Sequence, residues 1–220
     1  MSDKNWSGWF FLDKPIGITS NFALQKIKRI FDNSKAGFVG TLDPLASGYL
    51  PVALGKATKI IPYIEKSDKR YSFTVRWGIK TETGDSEGKV IKESDIYPNE
   101  TDILKALNKF SGNIEQFPHK YSSVKINGQR AHKLARKNMN FQLKKRQIKV
   151  NKFTLTNSIS EKLASFFIDC SAGTYVRSLA ENLAESLGTI GTVVELRRIG
   201  FNNFNKKLIS LDYLLSLVHS

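Results

Sequence analysis

Apolar and polar positions recur with two different periods along this 220-residue chain, and the switches between them mark its elements. Trp9 to Leu12 is a short apolar run that predicts a strand. From Thr19 to Asn33, Leu24, Ile27 and Phe31 fall on one helical stripe, with Ser20 or Asn21 as cap and Lys26, Lys28 and Arg29 on the solvated side. Tyr71, Phe73, Val75 and Trp77 alternate with Ser72, Thr74 and Arg76, the period-two pattern of a half-buried strand. Thr81 to Gly88 is polar throughout and predicts a turn. Thr101 to Phe110 predicts a second amphipathic helix, closed by Gly112. Tyr121 to Ile126 runs into Asn127-Gly128, a strong short hairpin signal. Lys144 to Leu155, Ser165 to Ser171 and Val193 to Phe201 predict further strands. Tyr175 to Leu187 predicts a helix ending at Gly188, and Ser210 caps a short terminal helix.

Strands and helices are thus mixed without the regular alternation of a parallel doubly wound sheet. The expected fold class is α+β around a largely antiparallel sheet. No repeat, low-complexity tract or linker interrupts the chain, so a single domain over residues 1–220 is expected, with apolar residues (40%) enough for one large core or two small ones.

Charge narrows the function classes. Thirty-four Lys and Arg face twenty Asp and Glu, a formal net charge of +14. A compact domain with that excess repels itself unless a polyanion shares the load, although a Lys-inflating genome gives the same sign. Nucleic acid is the commonest such partner and an anionic membrane surface the rival. The membrane alternative has no support in the pattern: no apolar run approaches the ~20 residues of a spanning helix, and Met1 to Asn5 lacks a signal-peptide profile. A cytoplasmic location is expected. Cys170 is the only cysteine and sits in the apolar run Phe166 to Cys170, so a small core residue is expected there, not a nucleophile.

Several motifs fail on inspection. Gly55-Lys56-Ala57-Thr58 resembles the end of a phosphate-binding loop, but Leu50 stands where the first glycine belongs and Ala57 where a magnesium-holding hydroxyl belongs. His119, His132 and His219 lack metal-ligand spacing and no dinucleotide fingerprint is present, so no metal and no cofactor are expected. The run Gly37-Phe38-Val39-Gly40-Thr41-Leu42-Asp43-Pro44-Leu45-Ala46-Ser47-Gly48 is different. Pro44 pushes Asp43 out of helical geometry, and glycines on either side let a ligand approach the backbone. A structural Asx-turn is the plain alternative for an Asp-Pro pair.

That run, continued through Leu50 to Lys59, resembles the catalytic motif of the pseudouridine synthases, specifically the bacterial transfer RNA pseudouridine-55 synthase family. Leu12-Asp13-Lys14-Pro15-Ile16-Gly17-Ile18-Thr19-Ser20 resembles the family's opening motif, and Lys69-Arg70-Tyr71 the motif of its active-site tyrosine. Thr81 to Gly88, with Asp85, is similar to the polar turn that follows. Tyr121-Ser122-Ser123-Val124-Lys125, with Gly128 and Ala135-Arg136, is similar to its RNA-binding hairpin. Gly173-Thr174-Tyr175-Val176-Arg177-Ser178-Leu179 and Leu196-Arg197-Arg198 resemble its late motifs. The blocks occur in the family's order and cover nearly the whole chain.

The resemblance implies the pseudouridine synthase fold, a central mixed sheet flanked by helices with an inserted RNA-binding hairpin. It also implies isomerisation of one uridine of transfer RNA without any cofactor. Asp43 would be the catalytic carboxylate, acting at the anomeric carbon as glycosidase nucleophiles do or as a base on the neighbouring sugar proton. Arg177 would supply the cation that keeps it ionised, and an opposite charge lowers a carboxylate pKa by ~1–3 units. Tyr71 would stack on the target base, and Leu196 would form the apolar floor beneath it. Lys14, Phe38, Asp85, Tyr175, Lys125, Arg130 and Arg136, with Lys133, are the further expected substrate contacts. Each has a plainer alternative: a core aromatic at Tyr71, core packing at Leu196, a solvated helix face at Arg177, a solvated strand edge at Lys144-Lys145-Arg146.

The chain departs from the family at three places. Phe38 stands where bacterial members commonly carry histidine, so acid–base chemistry is unavailable there; the ring is expected to stack against RNA or fill the everted base's place. His119 and His132 replace residues more often proline and tyrosine. Many bacterial relatives continue into a small carboxy-terminal RNA-binding domain, whereas this chain stops at Ser220, from which weaker transfer RNA binding with an intact chemical step is expected. The expected partner is the transfer RNA T-arm, with no protein partner and a monomeric enzyme. The alternatives are a catalytically silent RNA chaperone on the same fold and a synthase for a different RNA uridine.

Overall fold

The computed structural model describes residues 6–201 and 206–216; Met1 to Asn5 and His219, discussed above, lie outside them. Among the described residues, nine strands belong to one mixed sheet. They are β1 (Gly8–Lys14), β2 (Ala36–Phe38), β3 (Ala46–Leu54), β4 (Lys69–Trp77), β5 (Gly112–Gln116), β6 (Arg146–Ser160), β7 (Leu163–Cys170), β8 (Gly191–Phe201) and β9 (Ile209–Ser210). The helices are α1 (Ser20–Ile30), α2 (Ile61–Ile64), α3 (Glu100–Leu107), α4 (Ala131–Arg136), α5 (Val176–Ser186) and α6 (Leu211–Ser216). The expected α+β class is observed. The chain groups into two compact units, one of residues 1–71 with 196–220 and one of residues 72–195.

In the first unit, β3 is the organising strand. It pairs antiparallel with β1 along its length, parallel with β8 at Ala46 to Gly48, and antiparallel with β2 at Val52 to Leu54. Pro51 falls between the β8-paired and β2-paired stretches, where its missing N–H interrupts neither ladder. Eight of the nine β3 residues are buried, which is why the sequence there is a nearly continuous apolar run and not an alternating one. Helix α1 is capped by Thr19, whose side chain accepts from the Phe22 N–H; the expected cap lay one or two residues further on. Leu24 and Ile27 are buried as the helical stripe required.

Gly48 has φ +98°, and a Cβ there would lie 2.3 Å from the Arg198 carbonyl oxygen of the paired strand. Gly48→Ala is therefore expected to cost at least about 3 kcal/mol, combining a backbone clash with left-handed strain. An unchanged urea midpoint for this variant would contradict it.

In the second unit, β6 lies between β5 and β7, antiparallel to both. The core is aromatic: Phe73 stacks on Phe166 at 5.4 Å, and Phe153 and Trp77 complete the cluster. Cys170 is fully buried, as expected. The alternation in β4 is interrupted at Thr74, which is buried and hydrogen-bonds Ser165 and Glu195. Lys144, Lys145 and Arg146 are exposed, but Arg146 opens an interior strand and not an edge, and Lys145 pairs with Glu115 across it. The Asn127-Gly128 hairpin forms with both turn residues at positive φ, +48° and +82°, on two-residue strands.

Candidate active site

In the first unit, the loop between β2 and β3 carries Asp43, half-buried near its centre. The residues on either side of Asp43 are pinned. The Ser20 hydroxyl accepts from the Leu42 N–H at 2.8 Å and donates to the Leu42 carbonyl at 3.0 Å. The Pro44 carbonyl accepts from the Gly17 N–H at 2.9 Å, and the Asp43 carbonyl accepts from the Ala46 N–H at 3.0 Å. Gly17 sits at φ +86°, which the turn after Pro15 requires. The carboxylate-bearing residue is thereby presented from a fixed, non-helical backbone, the condition for near-attack geometry.

Lys14 is fully buried, and its Nζ donates to the carbonyls of Pro15 and Ile18 at 2.7 Å each and to that of Pro44 at 3.5 Å. The ammonium ties the Pro15–Ile18 turn to the Asp43 loop. Tyr71 is 8% exposed and Leu196 is buried to the same degree, both in the first unit. Phe38 ends β2, half-buried, paired with Val52.

In the second unit, Arg177 lies in the first turn of α5 and is 6% exposed. Its Nη1 donates to the Thr83 carbonyl at 2.8 Å and to Asp85 Oδ2 at 3.1 Å, and its Nη2 to the Tyr121 carbonyl at 3.1 Å. Asp85 is 2% exposed, and its other oxygen accepts from the Thr83 hydroxyl and the Glu87 N–H. Asp85 thus holds the arginine from the polar turn. Tyr175 caps α5 through its backbone, donating N–H to Gln116 Oε1 at 2.8 Å and accepting from Gln116 Nε2 at 3.0 Å, with its side chain half-buried.

Tyr121 donates its phenol hydrogen to Glu82 in a short bond, and burial followed by that carboxylate pushes its pKa up to about 12. His119 accepts from the Tyr121 N–H through Nδ1. His132 Nδ1 lies 3.0 Å from the Ser122 carbonyl, so both unusual histidines brace this segment.

Burial, followed by Arg177, Lys120 and Lys80, lowers the His119 pKa to about 3. The 3.6 Å approach to Glu181 is therefore a neutral imidazole beside a carboxyl, which burial pushes up. Below pH 6.5 the unfolded chain takes up a proton that the folded chain refuses until about pH 3. His119 thus removes stability as pH falls through that window, and the raised Glu181 opposes it with the smaller shift. His119→Gln is expected to flatten the loss of stability between pH 7 and pH 4; parallel urea midpoints for variant and parent would contradict this.

Lys125 and Arg130 face each other across the hairpin, and Lys133 and Arg136 follow three apart on α4. All four are exposed. Like charges directly opposed on a ribbon repel, so a polyanion stabilises the arrangement. Among the described residues no cluster of His, Cys, Asp or Glu could hold a metal, and no helix is long and apolar enough to cross a membrane.

Residues 28–176 match the model of the TruB family pseudouridylate synthase N-terminal domain. The chain belongs to this family. It is 45% identical over 96% of its length to a tRNA pseudouridine synthase B of Bradyrhizobium diazoefficiens, covering 61% of that protein. It is 44% identical to one of Ehrlichia chaffeensis over 97% of its length, covering 73% of that protein. The chain therefore spans roughly two thirds of these curated relatives. Among solved structures it is similar to the archaeal box H/ACA sRNP Nop10-Cbf5 complex, with TM-score 0.70, 27% identity, and coverage of 99% of this chain and 55% of that one. A Cbf5-Nop10-Gar1 complex gives TM-score 0.72 at 30% identity, covering 95% of this chain and 54% of that one. The pseudouridine synthase fold expected from sequence is thereby established.

Gln116 and Arg198 carry structural duties that the sequence patterns did not single out, and Ser20 and Lys14 carry duties other than those expected of them. A signal existed for two of them. In β1 and β8 the period-two alternation puts Lys14 on the face of Leu12 and Arg198 on the face of Leu196, and all four are buried.

Proposed function

We propose that this chain converts uridine 55 in the T-arm loop of transfer RNA to pseudouridine, as a cytoplasmic monomer. The supporting observation is the clamped Asp43 loop in a chain 42–46% identical to enzymes named tRNA pseudouridine synthase B. The reaction breaks the N1–C1′ bond of uridine and forms a C5–C1′ bond, with a proton leaving C5 and one gained at N1. It needs no oxidant and no energy source.

Asp43 is the carboxylate, either joining C1′ or removing the neighbouring sugar proton. Arg177 favours its ionised form, Tyr71 stacks on the base and moves a proton through its hydroxyl, and Leu196 floors the uracil. Phe38, Tyr175, Lys125, Arg130, Lys133 and Arg136 serve RNA binding. Extracting a stacked uridine costs a few kcal/mol, which phosphate contacts offset. Neutralising several phosphates makes affinity steeply salt-dependent, so binding is expected to weaken at least about tenfold between 50 and 200 mM salt.

The test is incubation with an unmodified transfer RNA transcript followed by mapping of modified uridines. Pseudouridine at the T-arm position supports the proposal. Modification elsewhere makes the chain a synthase for another uridine, and no modification with RNA remodelling makes it a chaperone.

A further inference from the structure

Arg198 is the second-largest fully buried side chain, at 0% exposure, and nothing above gives it a chemical role. Its Nε donates to the Tyr49 carbonyl at 2.6 Å. Its Nη2 donates to the carbonyls of Gly40 at 3.0 Å and Val39 at 3.3 Å. The Tyr71 side chain interacts electrostatically with the guanidinium. Val39 and Gly40 precede Asp43, and Tyr49 follows it, so one planar fork holds both ends of the loop.

Every one of these acceptors is uncharged. Burial works against the guanidinium's charge, and Tyr71 works in its favour. Nη1 has no hydrogen-bond partner. A buried cation with only neutral acceptors is a poor stabiliser, since an apolar side chain of similar volume avoids its desolvation. Its geometry, by contrast, is hard to replace: donors in a fixed plane reach three carbonyls at once. Phe201 supports it, with the guanidinium carbon 5.6 Å from the ring centre. Gly40 leaves it room: at φ +66°, a Cβ there would meet Nη1 at 2.9 Å.

We propose that Arg198 is a positioning residue for the reaction, aligning the Asp43 loop with the Tyr71 hydroxyl. The assignment rests on the function proposed above, in which Asp43 and Tyr71 act on the same nucleoside.

The experiment compares the parent chain with Arg198→Lys and Arg198→Met. It measures single-turnover pseudouridine formation at saturating enzyme, RNA affinity, thermal unfolding, and the ring-carbon NMR signal of Tyr71, assigned by its loss in Tyr71→Phe. A misplacement of about 1 Å costs on the order of 100-fold in rate, so Arg198→Met is expected to lose about that factor with RNA affinity within about threefold. Arg198→Lys keeps the charge without the fork; it is expected to stay folded, lose about tenfold in rate, and displace the Tyr71 signal while those of Tyr63 and Tyr213 stay.

Parental rate and an unmoved Tyr71 signal in the lysine variant overturn the proposal, whether or not the methionine variant folds. So does a rate that falls only with the folded fraction. If the parent forms no pseudouridine, the function proposal fails instead, and the Tyr71 signal still decides whether Arg198 positions that side chain.

Discussion

Asp43→Asn is expected to reduce pseudouridine formation by on the order of 10⁴-fold or more, while transfer RNA binding changes by less than about threefold. The amide keeps the volume and the polarity of the side chain but can neither join C1′ nor accept a sugar proton at a useful rate. The loop's backbone is held independently of the carboxylate, because Ser20, Gly17 and Lys14 grip it at Leu42 and Pro44. A gel-shift titration beside a single-turnover assay separates the two effects. Retained turnover would remove Asp43 from the chemistry; an unchanged RNA-remodelling activity with no turnover in either protein would favour a chaperone.

The second large effect belongs to Asp85. Its carboxylate is 2% exposed and 3.1 Å from an arginine side chain that is itself 7% exposed. Removing one partner of a buried, hydrogen-bonded charge pair is strongly destabilising, at roughly 3–5 kcal/mol. Asp85→Ala is expected to lower the urea midpoint by that order. It should also slow turnover by about 100-fold through a displaced Arg177 guanidinium. Asp85→Asn, which keeps an acceptor for the Thr83 hydroxyl and the Glu87 N–H, should fall between parent and alanine variant in both. An alanine variant as stable and as fast as the parent would show that Thr83 and Tyr121 hold Arg177 without help.

Much of this was legible in the residues alone. The period-two alternation at Tyr71 to Trp77, the Asn127-Gly128 turn and the glycine closures at Gly112 and Gly188 each appear where local chemistry demanded them. Such features depend on neighbours a few residues away, which a sequence displays directly. Strand β3 was less legible because both of its faces are covered, so no alternation betrays it. Lys14, Asp85 and Arg198 were the hardest. A cation or carboxylate reads as solvent-facing by default, since burying its charge is expensive. What reverses the default is a set of backbone carbonyls, or one opposite charge, brought in from distant parts of the chain. Arg198 meets its acceptors 149 to 159 positions away, and Arg177 meets Asp85 at 92.

The order in which the chain contributes to its two compact units has a consequence for biogenesis. Residues 72–195 are continuous, whereas the unit bearing Asp43 needs strand β8 and helix α6 from residues 196–216. During synthesis the first 71 residues emerge without the strand that pairs beside Ala46 to Gly48 and without Arg198. Closing so long a loop is entropically slow to nucleate. The aspartate loop therefore matures last, when the ribosome has already released most of the polypeptide, and a nascent chain stalled before β8 lacks both the strand and the arginine that complete that loop.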